Sequence, residues 1–166
     1  MQGDKKVVEY LNKILKNELT AINQYFLHSS ICRDWGYLGL AGYMRQEAME
    51  EMHHADVLIQ RILFLESLPN LREMSALRIG KDVKKQLEND LALEIEAIAR
   101  LNEAIAAAVA AGDNGSRDLF QKILVDEEGH VDWLEAQLGM IQQMGLGVYL
   151  SQQMGSTGGG AGAGAA

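Results

Sequence analysis

An all-α fold, a bundle of four long helices with a short fifth helix behind them, is what the sequence predicts. Three observations carry that expectation. Apolar residues recur at three- and four-residue steps through four long stretches. The 166 residues include one proline and few aromatics, with 48% hydrophobic residues, a composition that disfavours a sandwich or barrel. Glycine-containing turns fall between the periodic stretches and not inside them.

The first stretch runs from about Asp4 to Asp34, where Val7, Leu11, Ile14, Leu15, Leu19, Ile22 and Phe26 form one apolar stripe. Trp35-Gly36-Tyr37-Leu38-Gly39 reads as a turn, and a second helix continues to about Glu66. Pro69 lies just beyond, where a proline costs a helix nothing. From Pro69 to Gly80 the periodicity weakens, which predicts a connection that crosses the bundle lengthwise if helices two and three run parallel. A third helix is expected over Lys81–Ala111, then a Gly112-Asp113-Asn114-Gly115 turn, with Ser116 as the cap of a fourth helix ending at Met144. Helices of about 28 residues are about 42 Å long. Gly145 stops the fourth, and Leu146–Leu150 is short enough to need a surface to pack on. Residues 1–154 read as one domain, and the Gly/Ala-rich 155–166 as a flexible tail.

Composition narrows the function. A net charge of −8 argues against nucleic acid and against an anionic membrane surface as partners. Cys32 is the one cysteine, so no internal disulfide forms. The N-terminus is charged and amphipathic, unlike a secretory signal, and no apolar run is long enough to span a membrane. A cytoplasmic protein is the expectation.

Two Glu-x-x-His pairs, Glu51/His54 and Glu127/His130, are each preceded 33 positions earlier by a further glutamate, Glu18 and Glu94. The two sets repeat at an offset of 76 residues, as do Leu15/Leu91, Ala21/Ala97, Ile22/Ile98, Asp56/Asp132 and Leu58/Leu134. On a helix, positions i and i+3 share a face, so each Glu/His pair can reach one metal ion. Most glutamates sit on solvated faces, but Glu18 lies within the stripe of Leu11, Ile14, Leu15 and Ile22, and Glu94 between Leu91, Ile98 and Leu101. Buried carboxylates are costly unless paired, protonated or bound to a cation. Four of them with two imidazoles match the ligand set familiar from di-iron carboxylate bundles. Such oxygen-rich ligation suits iron or manganese better than structural zinc. The spacing predicts Glu18 and His54 on one metal, Glu94 and His130 on the other, and Glu51 and Glu127 bridging.

Tyr25 lies seven residues beyond Glu18 on the same face. It reads either as a core tyrosine with a satisfied hydroxyl, or as a partner or electron donor to the site. Met52 points away from the core when Glu51 and His54 point into it. Spacing alone favours a subunit interface for Met52 over a thioether ligand to haem. His53 and His28 read as surface or interface residues, and Trp35 and Trp133 as packing.

These residues resemble the bacterioferritins. The likeness is carried by Asn17-Glu18-Leu19, Ala21–His28, Glu51–Asp56, Arg61–Glu66 with Leu68–Leu71, Asp90–Glu94 and Asp126–Glu135, and it spans about residues 1–154. The resemblance implies a ferritin-like bundle and a 24-subunit hollow cage. Such a cage oxidises Fe(II) with O2 at an intrasubunit di-iron centre and stores the Fe(III) mineral inside. It also implies that Met52 ligates haem b, one methionine from each subunit across a twofold interface. Through that haem a small ferredoxin would deliver electrons for iron release, and the fifth helix would line fourfold contacts. The chain departs from the family at Gln46 and Glu50, where many members have a His and an Asp tied to an inner-surface iron site. Val148 and Ser151 are less polar than some members' residues, and the tail has no counterpart. Two other readings of the same residues stay open: a haem-bridged structural or electron-transfer shell with structural metals, and a di-metal oxygenase of small oligomeric size.

Overall fold

The computed structural model describes residues 1–155, so the expected tail lies outside the described residues from 156 onward. Among the described residues five helices follow in chain order: α1 (Lys5–Asp34), α2 (Leu38–Phe64), α3 (Val83–Ala110), α4 (Asn114–Met144) and α5 (Leu146–Ser151). The fold is the expected four-helix bundle with a long crossover and a short fifth helix, and no strand occurs among the described residues. α1 packs on α2, α3 on α4, and α1 on α3.

The helix starts are carboxylate caps. Asp4 accepts from the backbone N–H groups of Lys6 and Val7, and Asp82 from that of Lys85. At α4 the cap is Asp113, not Ser116. Asp113 accepts from the Ser116 backbone N–H at 2.9 Å and from its hydroxyl at 2.7 Å. Arg61 fixes the cap with a 2.7 Å bond to the same carboxylate, and Ser116 is drawn inward and buried. Gly145 ends α4 at φ 82°, a backbone conformation that favours glycine.

The crossover is strapped to α1. Asn12, Thr20, Gln24 and His28 accept from the backbone N–H groups of Asn70, Ser75, Arg78 and Gly80, at 2.8, 3.0, 3.0 and 3.1 Å. Without these acceptors, buried stretches of an irregular segment would leave donors unpaired. His28 is therefore fully buried within the subunit, contrary to the surface or interface position expected from sequence. Its Nε2 accepts from Gly80, so its Nδ1 carries the proton and donates to Asp90 at 2.9 Å. A Cβ at Gly80 would lie 2.2 Å from the Gln86 nitrogen, so only glycine lets the crossover meet α3 this closely.

Two apolar clusters fill the bundle. One holds Val7, Leu11, Leu15, Leu58, Leu101 and Phe120, the other Ala21, Tyr25, Leu40, Leu87, Leu134 and Tyr149. Leu15 and Leu58 belong to the first cluster, whereas of their 76-residue mates Leu134 belongs to the second and the partly buried Leu91 packs against it. That exchange is what a pseudo-twofold axis across the middle of the bundle requires. The single stripe expected on α1 divides in two: Leu11, Ile14 and Leu15 face inward, whereas Phe26 is 51% exposed on the outer face.

Candidate metal centre

Between the two apolar clusters lies a polar layer to which every long helix contributes. α1 supplies Glu18, α2 Glu51 and His54, α3 Glu94, and α4 Glu127 and His130, and all six are buried. His54 Nδ1 stands 3.1 Å from Glu127, 3.2 Å from Glu51 and 3.6 Å from Glu18. His130 Nδ1 stands 3.1 Å from Glu51, 3.1 Å from Glu127 and 3.5 Å from Glu94. Glu51 and Glu127 each turn one oxygen to one histidine and the other oxygen to the other. Two four-residue groups that could each hold a metal ion result, Glu18/Glu51/His54/Glu127 and Glu51/Glu94/Glu127/His130, sharing the two middle glutamates.

Protonation balances this layer. Burial works against charged imidazoles, yet hydrogen bonds to Glu127, Glu18 and Glu51 hold His54 protonated well above its usual range. Glu127, Glu47 and Glu51 do the same for His130. Burial, reinforced by the charges of Glu51 and Glu127, keeps Glu18 and Glu94 protonated. Burial also raises Glu51 and Glu127, but hydrogen bonding to the two histidines and to the protonated glutamates prevails and holds both ionised.

Glu18 Oε1 is buried without a hydrogen-bond partner, and Glu51 Oε1 and Glu127 Oε1 have only the 3.1 Å approach of one imidazole each. Buried carboxylate oxygens so poorly supplied with donors are acceptors for cations, and the O/N donor set fits divalent iron or manganese. The residues fit a pair of such ions.

A ferritin-like domain model matches residues 8–144. The chain is 50% identical to a bacterioferritin of Brucella melitensis over 87% of its own length and 90% of that protein's. It is 45% identical to one from Mycolicibacterium paratuberculosis, covering 92% of this chain and 96% of the relative. A Streptomyces coelicolor bacterioferritin is 46% identical over 91% and 90%. The chain belongs to the bacterioferritin family.

In this bacterioferritin chain Tyr25 is fully buried and its hydroxyl donates to Glu94 Oε1 at 2.5 Å, so it touches a candidate ligand directly. Burial, with the acidic neighbours Glu94 and Asp90, pushes the phenol up and keeps it a donor. Met52 is half exposed on the outer face of α2, with Met49 at 54% and Phe26 close to it in exposure. His53 is exposed too. Trp133 stacks on Tyr43 at 3.5 Å between ring centroids, and Trp35 is 41% exposed.

Three carboxylates beside the site escaped the sequence reading as partners of the histidines. Asp126 Oδ2 is 3.0 Å from His54 Nε2. Glu50 Oε2 is 3.3 Å from His130 Nε2, and Glu47 is 2.8 Å from the same nitrogen. Glu47 sits one turn before Glu51 on the same face, a signal the sequence does contain. Gln46 Nε2 donates to Glu50 at 3.3 Å.

Proposed function

We propose that this chain is the subunit of an iron-storage ferroxidase, and that Glu18, Glu51, His54, Glu94, Glu127 and His130 are its metal ligands. The observation that carries the reading is the pair of shared carboxylates: Glu51 and Glu127 each face both histidines through separate oxygens. Bridging carboxylates of that kind hold metal ions about 3.5–4 Å apart. With iron bound, two Fe(II) each give up one electron and one dioxygen takes both, together with two protons.

The chain's own residues prepare that exchange. His54 and His130 present Nδ1 to the layer, and Tyr25 fixes Glu94 through its hydroxyl. The two apolar clusters close the layer from both ends and limit its water.

The product belongs in a hollow 24-subunit homo-oligomer, as the family resemblance implies. The half-exposed Met49 and Met52 of α2, with half-exposed Phe26 of α1, support a twofold contact. Met52 from each partner would ligate a shared haem b there, and a small ferredoxin would reduce it to release iron. No described helix is long and apolar enough to cross a membrane, in keeping with a cytoplasmic cage.

Metal-free protein titrated with Fe(II) in air tests the reading. A fast phase saturating at about two irons per chain is expected, and Glu94→Ala should slow it strongly. Absence of a fast phase would leave the metals structural and favour a haem-bridged electron-transfer shell.

A further inference from the structure

The 76-residue repeat that relates the ligands also relates two residues outside the ligand set: Glu50 and Asp126 occupy equivalent positions, each just before a shared glutamate. Each crosses the layer to the outer nitrogen of the opposite histidine, Asp126 to His54 and Glu50 to His130. The equivalence then breaks. His130 Nε2 has a second carboxylate, Glu47, at 2.8 Å, whereas the position equivalent to Glu47 on the other side is Ile123, a buried apolar residue. Among the described residues His54 Nε2 has one carboxylate, and it is Asp126.

We propose that Asp126 is the positioning residue of the His54 side of the metal centre: it accepts the Nε2 proton, so that Nδ1 keeps its lone pair aimed at the ion. The inference rests on the two-metal reading above. An imidazole can ligate through either nitrogen, and the hydrogen bond made by the other decides which. Here the Nδ1 edge looks into three glutamates and the Nε2 edge looks outward. The Asp126 side chain is 56% exposed and lines a cavity of about 640 Å³ together with His53, His54, Val57, Leu119 and Lys122. Solvent from that cavity can compete for Nε2 once the carboxylate is gone. On the His130 side the buried Glu47 would remain after Glu50 is removed.

Anaerobic titration of the metal-free, full-length protein with Co(II), followed by its visible absorption, separates the possibilities without any turnover. Wild type should bind two tight Co(II) per chain. Asp126→Ala should weaken one of them about 10–100-fold, the usual effect of removing a partner of a ligating histidine, and leave the other unchanged. Asp126→Asn, whose amide oxygen still accepts the proton, should retain most of that affinity, and Glu50→Ala should retain both ions. Because Asp126 is largely exposed, the variants should keep the wild-type melting temperature. Unchanged Co(II) binding in Asp126→Ala would overturn the inference. So would an equal loss in Asp126→Asn, since charge and not the hydrogen bond would then be responsible. Fewer than two tight Co(II) in wild type would overturn the two-metal reading itself.

Discussion

Filling the centre with two divalent cations should expel four protons per chain, because four of the six ligand groups hold one without metal. In the metal-free layer Glu51 and Glu127 are ionised and the two imidazoles are cationic, while Glu18 and Glu94 are neutral acids. Among these six groups two negative charges meet two positive ones, and the set is neutral. With both cations bound, all four carboxylates must be ionised and both histidines neutral, so four negative charges meet four positive ones. Neutrality is kept in both states only if all four protons leave, and burying uncompensated charge between two apolar clusters would be costly. Zn(II) added anaerobically at about pH 7 in unbuffered solution, with released acid counted by back-titration, gives the number directly. Glu94→Gln should release three, since the amide has no acid proton to lose. A count of two or fewer in wild type would refute the argument, because Glu18 and Glu94 would already be ionised and the empty layer would carry net charge.

Two further predictions draw on the same geometry. Stability of the metal-free protein should fall as pH rises above the ordinary histidine value of 6.5, since the folded state keeps His54 and His130 protons that the unfolded chain gives up. Raised folded-state values mean that the folded form binds more protons, so the slope is negative, at most about 1.4 kcal/mol per pH unit per imidazole. Glu18 and Glu94 add to it with the same sign. Glu51 and Glu127, held low, act oppositely and only below about pH 4.5. Denaturant midpoints that rise between pH 6.5 and 8.5 would contradict the protonation scheme, and zinc-loaded protein should lack the decline. Replacing Met52, half exposed and turned away from the ligand layer, with Leu should abolish haem absorbance and spare the fast iron-oxidation phase. Haem retained in Met52→Leu would remove Met52 as its ligand.

The helices and the six clustered residues were legible because they depend on local periodicity. Glu51/His54 and Glu127/His130 are i,i+3 pairs, and helical geometry alone puts each pair on one face. Glu18 and Glu94 stood out as acids embedded in apolar stripes. Residues whose role depends on a neighbour distant in sequence were not legible. Asp113 rather than Ser116 caps α4 because Arg61, 52 positions earlier, anchors the carboxylate. His28 lies on the inward side of α1 three residues beyond Tyr25, but its purpose is set by Gly80 and Asp90 on other segments. Asp126 reads as an exposed helix residue until the bundle closes on His54.

The strap along α1 works as a measuring scale. Its four acceptors rise along the helix in the same order as the backbone donors rise along the crossover, 12, 20, 24, 28 against 70, 75, 78, 80. The crossover therefore travels in the direction of α1, and α3 must start beside the end of α1 and run parallel to α2. Between Asn12 and Thr20 the helix advances about 12 Å while five crossover residues can reach about 17 Å, so that span has slack. Between Gln24 and His28 the helix advances about 6 Å and two residues reach about 7 Å, so that span is nearly taut. Chain length can drift where the crossover begins, between Asn70 and Ser75. It cannot drift where the crossover hands over to α3, and α3 is the helix that sets Glu94 in register with the rest of the layer.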